Sequence, residues 1–185
     1  MQPLSELTVF GFGFRPAIRT IVASAMRAFY VKDVLFFDEQ DELMSALSMY
    51  DPDMLFMETN SLPNDPASDI LRRIRYLPDA PNPYLPMIAV SPHKTKGDVM
   101  QAIGLGYHEY LTIPLSAQRL WRALTHTAFV GRPFVETPNY FGPCRRRRND
   151  IFFDCEERRS KNDEGLRMEQ ERRMDEIAME WQKTG

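Results

Sequence analysis

Short apolar runs alternate with amphipathic stretches along residues 7–129, and this alternation constrains the fold more than any other feature. The apolar runs carry no charge and lie at residues 7–10, 34–37, 54–57, 87–90 and 110–113. Between and after them, apolar residues recur at helical spacing over residues 17–28, 41–49, 67–77, 96–105 and 117–129. Uninterrupted apolar strands are typical of a parallel sheet that is covered on both faces. The pattern therefore predicts an α/β fold with a five-stranded parallel, doubly wound sheet and helices on both faces.

Two segments of different character follow this pattern. The chain length of 185 residues suits one domain, over residues 4–128, plus an extension. Residues 129–150 are punctuated by prolines, which indicates an arm of extended chain and turns. Residues 151–185 are densely charged and form a candidate helix with one narrow apolar edge that needs a partner. That edge consists of Met174, Ile177, Ala178 and Trp181.

Composition excludes several classes of protein. Hydrophobic residues make up 43% of the chain and charged residues 26%, as in globular domains with a core. The longest uncharged stretch, residues 80–93, is short and rich in proline, which excludes a membrane-spanning helix. The N-terminal residues lack the basic start and apolar run of a secretory signal, so we expect a cytoplasmic protein. Cys144 and Cys155 fit neither a zinc site nor a disulfide framework, so no metal or cofactor is expected.

Several segments together resemble the receiver domains of bacterial two-component response regulators, over about residues 6–128. They are PDMLFME at 52–58 followed by LP at 62–63, ILRRIR at 70–75, PMIAVS at 86–91 and AIGLGYHEYLTIP at 102–114. The segment at residues 132–143, with the arginines at 145–148, resembles an extension of some stand-alone alphaproteobacterial receivers. The resemblance implies a flavodoxin-like fold and a signalling role with protein partners.

The resemblance also implies a phosphorylation site, but several of the residues that such a site needs are replaced in this chain. Phosphoryl transfer to an aspartate needs Mg²⁺, which prefers carboxylate oxygens, and a lysine that neutralises charge. Where the family has an acidic pair, this chain has Phe10, Gly11 and Phe12. The acceptor position falls on Glu58 or Thr59, and Ile113 stands in place of the lysine. The sequence therefore predicts a pseudo-receiver that is not an enzyme.

Other residues of the family pattern remain, and they suggest how the protein works. Ser91 matches the hydroxyl residue after the fourth strand, and Tyr110 matches an aromatic switch position. Tyr110 and Tyr107 are aromatic residues of the kind enriched at interfaces, so we expect them on a docking surface. The apolar edge of residues 174–181 predicts a second docking surface.

Two alternative functions stay open. One is a phosphorylatable receiver that uses Glu58 or Thr59. The other is a nucleic-acid-binding adaptor, because adjacent arginines can neutralise phosphates. These arginines are Arg145, Arg146, Arg147 and Arg148. An acidic flank and a pI of about 5.7 make nucleic acid the less favoured partner.

Overall fold

The computed structural model describes residues 4–145 except 61, 78, 79, 81 and 131. The charged tail predicted to form a helix therefore lies outside the described residues, as do Arg146, Arg147, Arg148, Met174, Ile177 and Trp181. After a short 3₁₀ turn at Leu4–Glu6, five strands alternate with five helices, as the sequence predicts. None of the described helices is both long enough and apolar enough to cross a bilayer.

The strands form one parallel sheet in the order β2-β1-β3-β4-β5, which confirms the predicted fold class. They are β1 (Thr8–Phe12), β2 (Asp33–Phe37), β3 (Met54–Glu58), β4 (Met87–Ser91) and β5 (Glu109–Thr112). The helices are α1 (Pro16–Ala28), α2 (Gln40–Met49), α3 (Pro66–Tyr76), α4 (Lys96–Leu105) and α5 (Ala117–Thr125). A π-helical turn, His126–Val130, continues α5.

Local hydrogen bonds fix the ends of the helices. The Asp65 carboxylate accepts from the Ser68 N–H at 2.9 Å and so caps the start of α3. Thr95 and Asp98 form a reciprocal capping box at the start of α4. Gly106 ends α4 with a φ of 111°, a left-handed conformation that glycine adopts without strain.

Two hydrophobic layers sandwich the sheet. Phe10 and Phe12 of β1 point to the layer that contains α2, α3 and α4. Val9 and Phe14 lie in the opposite layer, which contains α1 and α5. Gly11 lies between Phe10 and Phe12 in β1, where an added Cβ would stand 2.5 Å from the Phe36 ring. A side chain at this position would displace the Phe36 ring, so the packing of that ring against β1 favours glycine.

The proline-marked arm is a β-hairpin that packs against the fold. Strands β6 (Phe134–Thr137) and β7 (Tyr140–Pro143) pair in antiparallel fashion. The Phe134 ring lies 5.0 Å from the Tyr84 ring and 5.5 Å from each of the His108 and Phe141 rings, measured between centroids. The Phe141 N–H donates to the Tyr76 hydroxyl at 3.1 Å. The hairpin thereby covers the ends of α3 and α4, at the amino edge of the sheet.

A buried cation lies beneath this hairpin. The Arg75 guanidinium donates to the carbonyls of Pro83 at 2.5 Å and Leu85 at 2.9 Å, and it lies 5.1 Å from the Phe134 ring centroid. Burial lowers the pKa of Arg75 to about 9, so the guanidinium remains charged at neutral pH. Burial also lowers the pKa of His108 to about 3, and its neutral ring accepts the Met87 N–H at 3.1 Å. The hairpin thus completes the environment of two buried polar side chains.

We predict that Phe134→Ala lowers the free energy of unfolding by about 1–3 kcal/mol, because a half-buried ring loses its aromatic contacts and uncovers Arg75. Urea denaturation followed by circular dichroism measures the change. Asn139→Ala in the exposed hairpin turn is the matched control and should change the stability by less than about 0.5 kcal/mol. Equal stabilities of the two variants would contradict a structural role for the hairpin.

Candidate functional site

The candidate site lies at the carboxyl edge of the sheet, where parallel strands of this fold class present their ligand-binding residues. Glu58 is the last residue of β3, and its side chain has no exposed surface. Phe12 ends β1 beside Met57, and Ser91 ends β4 beside Thr112 of β5. The strand register therefore brings the end of β3 between the loops that follow β1 and β4.

An arginine binds both oxygens of the buried Glu58 carboxylate. The Arg15 backbone N–H donates to Oε2 at 2.8 Å, and the Arg15 Nε–H donates to Oε1 at 2.5 Å. Gly13, with a φ of 69°, turns the chain so that Arg15 comes back over β3. The Arg15 side chain is 55% exposed, whereas the Glu58 side chain is fully buried. Charge-assisted hydrogen bonds therefore neutralise a carboxylate that water cannot reach.

The residues present do not fit the divalent cation that the fold family uses. Mg²⁺ requires several oxygen ligands in near-octahedral geometry. The chain after β1 supplies Gly13 and Phe14, which carry no side-chain oxygen. Both Glu58 oxygens already accept hydrogen bonds, Oε1 from the Arg15 guanidinium and Oε2 from the Arg15 backbone N–H. Within the described part of the chain, no cluster of three or more His, Cys, Asp and Glu side chains could hold a metal ion.

Thr59 and Glu58 have different environments, although either could match the acceptor position by sequence. The Thr59 hydroxyl is buried and donates to the Asp65 carboxylate at the start of α3. The same carboxylate accepts the N–H groups of Asn60 at 3.0 Å and Ser68 at 2.9 Å. Thr59 therefore fastens the loop after β3 to α3, whereas Glu58 is held by the loop after β1.

The loop after β4 is tied to its neighbours through His93. Its N–H donates to the Ser91 hydroxyl at 3.2 Å, and its Nε2 lies 2.5 Å from the Asn60 carbonyl oxygen. The Tyr110 hydroxyl donates to the His93 carbonyl at 3.1 Å. Ile113, which follows β5, packs against the layer of α1 and α5 and brings no charge to the edge. Hydrogen bonds thus join the loops after β3 and β4 to each other and to β5, and the only cation bound to Glu58 within the described residues is Arg15.

The structure corrects two residues of the predicted pocket. Phe10 and Gly11 lie within β1, paired with Leu35 and Phe36 of β2, and do not reach the carboxyl edge. The reason is that β1 extends to Phe12, two residues beyond the apolar run. Gly13 and Arg15 were not predicted as site residues, although a glycine and an arginine between β1 and Pro16 of α1 were a usable signal.

The predicted docking role of Tyr107 and Tyr110 is also corrected. Tyr107 is fully buried and Tyr110 is 9% exposed, because both belong to the core layer of α2, α3 and α4. Burial raises the pKa of both phenols. These side chains support the fold and the loop at His93, and a partner cannot reach Tyr107.

Of the four adjacent arginines, the structure describes Arg145. Its guanidinium lies 3.8 Å from the Tyr140 ring centroid, and Nη2 donates to the Gly104 carbonyl at 3.3 Å. A cation at this carbonyl stabilises the carboxyl end of α4. Arg145 therefore helps to fasten the hairpin to α4.

Comparison with known proteins finds similar structures but no similar sequence. No family model and no curated protein sequence matches the chain. The receiver domain of sensor histidine kinase PA1611 from Pseudomonas aeruginosa, solved with magnesium in its active-site cleft, aligns with a TM-score of 0.54 and 19% identity. That alignment covers 65% of this chain and 96% of the receiver domain.

Two response regulators give similar alignments. The chemotaxis response regulator CheY4 of Vibrio cholerae has a TM-score of 0.56 and 12% identity, covering 65% of this chain and 98% of CheY4. Response regulator RPA3017, in red light signalling of R. palustris, has a TM-score of 0.55 and 16% identity, covering 71% of this chain and 99% of RPA3017. This chain has the fold of the receiver domains of response regulators.

Proposed function

We propose that this protein is a non-catalytic, single-domain pseudo-receiver that acts as a protein–protein interaction module in bacterial signalling, independently of phosphorylation. The receiver fold supports the signalling role. The Arg15–Glu58 ion pair, at the edge where receivers are phosphorylated, supports independence from phosphorylation. Residues outside the described part of the chain add a second region for contacts with partners.

The single observation that carries the proposal is the engagement of both Glu58 oxygens by Arg15. An acyl phosphate forms only if one carboxylate oxygen is free to attack in line, and small misplacement of a nucleophile slows such a reaction strongly. Freeing that oxygen would leave a buried carboxylate without its cation. Losing one partner of a deeply buried pair costs about 3–5 kcal/mol, and the half-exposed guanidinium reduces that value here.

Electrostatic stabilisation of the transferring phosphoryl group is also missing from this edge. Metal ions and lysine or arginine side chains supply most of that stabilisation in phosphoryl transfer. Here Ile113 follows β5, and the Arg15 guanidinium is already paired with Glu58. The ion pair also ties the loop after β1 to the end of β3. The surfaces around this loop are therefore shaped by contacts within the protein and need no bound metal or phosphoryl group.

We predict no stable phosphorylation of the purified protein by acetyl phosphate with Mg²⁺. Intact-mass spectrometry measures the added phosphoryl group, with a phosphorylatable receiver as the positive control in the same reaction. Incorporation that disappears in Glu58→Gln or Thr59→Val would contradict the proposal and establish the phosphorylatable alternative at that residue.

A double-mutant cycle tests the ion pair itself. We expect Arg15→Ala to lower the free energy of unfolding by about 1–3 kcal/mol, because it leaves the Glu58 carboxylate buried and unpaired. Arg15→Ala should be much less destabilising in a Glu58→Gln background, since no charge then remains to be neutralised. Chemical denaturation near pH 7 measures all four proteins.

Arg19→Ala is the matched control for this cycle. Arg19 pairs with Asp38 at 3.1 Å, but both side chains are well exposed, so its removal should change stability by less than about 1 kcal/mol. If the Arg15 and Glu58 substitutions were additive, the two side chains would not be coupled, and the basis of the proposal would be lost.

A further inference from the structure

The side chain of His108 lies under the hairpin in a form that cannot accept a second proton without losing a hydrogen bond. His108 is 5% exposed. Its Nδ1 accepts the Met87 N–H at 3.1 Å, and the His108 N–H donates to the Met87 carbonyl at 2.8 Å. A ring nitrogen that accepts an N–H carries no proton, so the neutral imidazole has its proton on Nε2. Protonation of Nδ1 would place two donors opposite each other and break the bond to Met87.

The charges around His108 also oppose its protonation. Burial, followed by the positive charges of Arg75 in α3 and Arg132 in the arm, lowers the pKa of His108 to about 3. Glu109, the next residue along the chain, accepts from Arg132 at 2.9 Å. The acidic residue of β6, Glu136, is exposed. A protonated His108 would therefore add a buried positive charge next to two existing cations.

The hairpin supplies part of the cover over His108. The Phe134 ring of β6 lies 5.5 Å from the His108 ring and 5.1 Å from the Arg75 guanidinium, so one aromatic ring contacts both groups. The Phe141 N–H of β7 donates to the Tyr76 hydroxyl of α3. β6 and β7 pair with each other in a separate two-stranded sheet. The hairpin can therefore leave the domain without breaking a hydrogen bond of the five-stranded sheet.

We propose that the hairpin, residues 134–143, is an acid-sensitive cover: protonation of His108 at Nδ1 breaks its bond to Met87, releases the hairpin from the amino edge of the sheet and exposes Arg75. Release of the hairpin changes the surface that the protein presents at this edge. The inference goes beyond the proposed function and does not depend on whether Glu58 is phosphorylated.

The coupling between proton binding and release sets the direction of the pH dependence. In the released state the His108 ring meets water and regains an ordinary pKa of about 6.5. Because the pKa of the covered ring is lower, about 3, the released state binds more protons. The cover is therefore fully stable above about pH 6.5 and loses stability as the pH falls from about 6.5 toward 3. For one coupled proton, the released fraction should rise about 25-fold from pH 7 to pH 5.

Hydrogen exchange of the full chain, followed residue by residue with NMR, tests the release. The protection factor of the Phe141 amide should fall about 25-fold from pH 7 to pH 5, since its bond to Tyr76 breaks on release. It should stay below that of the Leu55 amide, which donates to the Pro86 carbonyl in the core at 2.8 Å. A Phe141 protection factor that does not change with pH, or that equals that of Leu55 at both pH values, would overturn the proposal.

Two asparagine substitutions identify the group that takes up the proton. In His108→Asn the side-chain oxygen can accept the Met87 N–H but does not titrate, so we expect the pH dependence at Phe141 to be lost. His126→Asn is the matched control, because it removes a partly exposed histidine whose Nδ1 lies 3.4 Å from the Glu109 carboxylate. The pH dependence should persist in the control. Its persistence in His108→Asn, or its loss in His126→Asn, would overturn the assignment to His108.

The imidazole itself provides a measurement that needs no substitution. In the unmodified protein, the Cε1–Hε1 NMR signal of His108 should titrate with a midpoint well below the ordinary value of about 6.5. A midpoint of about 6.5 would show that protons reach the ring while the hairpin is in place. That result would overturn the proposal even if the His108→Asn variant did not fold.

Discussion

A carboxylate buried at the end of a parallel strand must be neutralised, and the geometry of the candidate site follows from this requirement. The Glu58 side chain is fully buried, so water cannot compensate its charge. Arg15 compensates it with a backbone N–H and a guanidinium N–H, and Gly13 gives the chain the turn that brings Arg15 there. The PA1611 receiver domain was solved with magnesium in its active-site cleft, whereas the cation that contacts Glu58 in this chain is Arg15.

The opposite edge of the sheet also holds a buried charged group, which is stabilised by neutral hydrogen-bond acceptors. There the buried group is the Arg75 cation, and backbone carbonyls of Pro83 and Leu85 accept its N–H groups. The hairpin covers this edge. It packs so closely that an added Cβ on Gly142 would lie 3.1 Å from the Gly106 backbone. Contacts within the protein thus hold charged side chains in place at both edges of the sheet.

The sequence predicted those parts of the structure that depend on local periodicity. Apolar runs located the five strands of the parallel sheet, and helical spacing located helices α1 to α5, because each of these patterns spans a whole element. The strands of the hairpin, β6 and β7, were predicted only as extended chain and turns. The end of β1 was missed, since Gly11 and Gly13 interrupt the apolar run. The partner of Glu58 was missed because the pair joins residues 43 positions apart. Tyr107 was placed on a surface because its burial depends on the packing of α3 and α4, which no local pattern records.

The central claim is that Arg15 replaces the divalent cation at Glu58. The most direct test is a titration of the isotope-labelled protein with Mn²⁺, a paramagnetic substitute for Mg²⁺, while the amide signals of Gly13, Arg15 and Thr59 are followed. The account predicts no saturable broadening of these signals at metal concentrations that saturate a metal-binding receiver. Saturable broadening centred on Glu58 and its neighbours would contradict it.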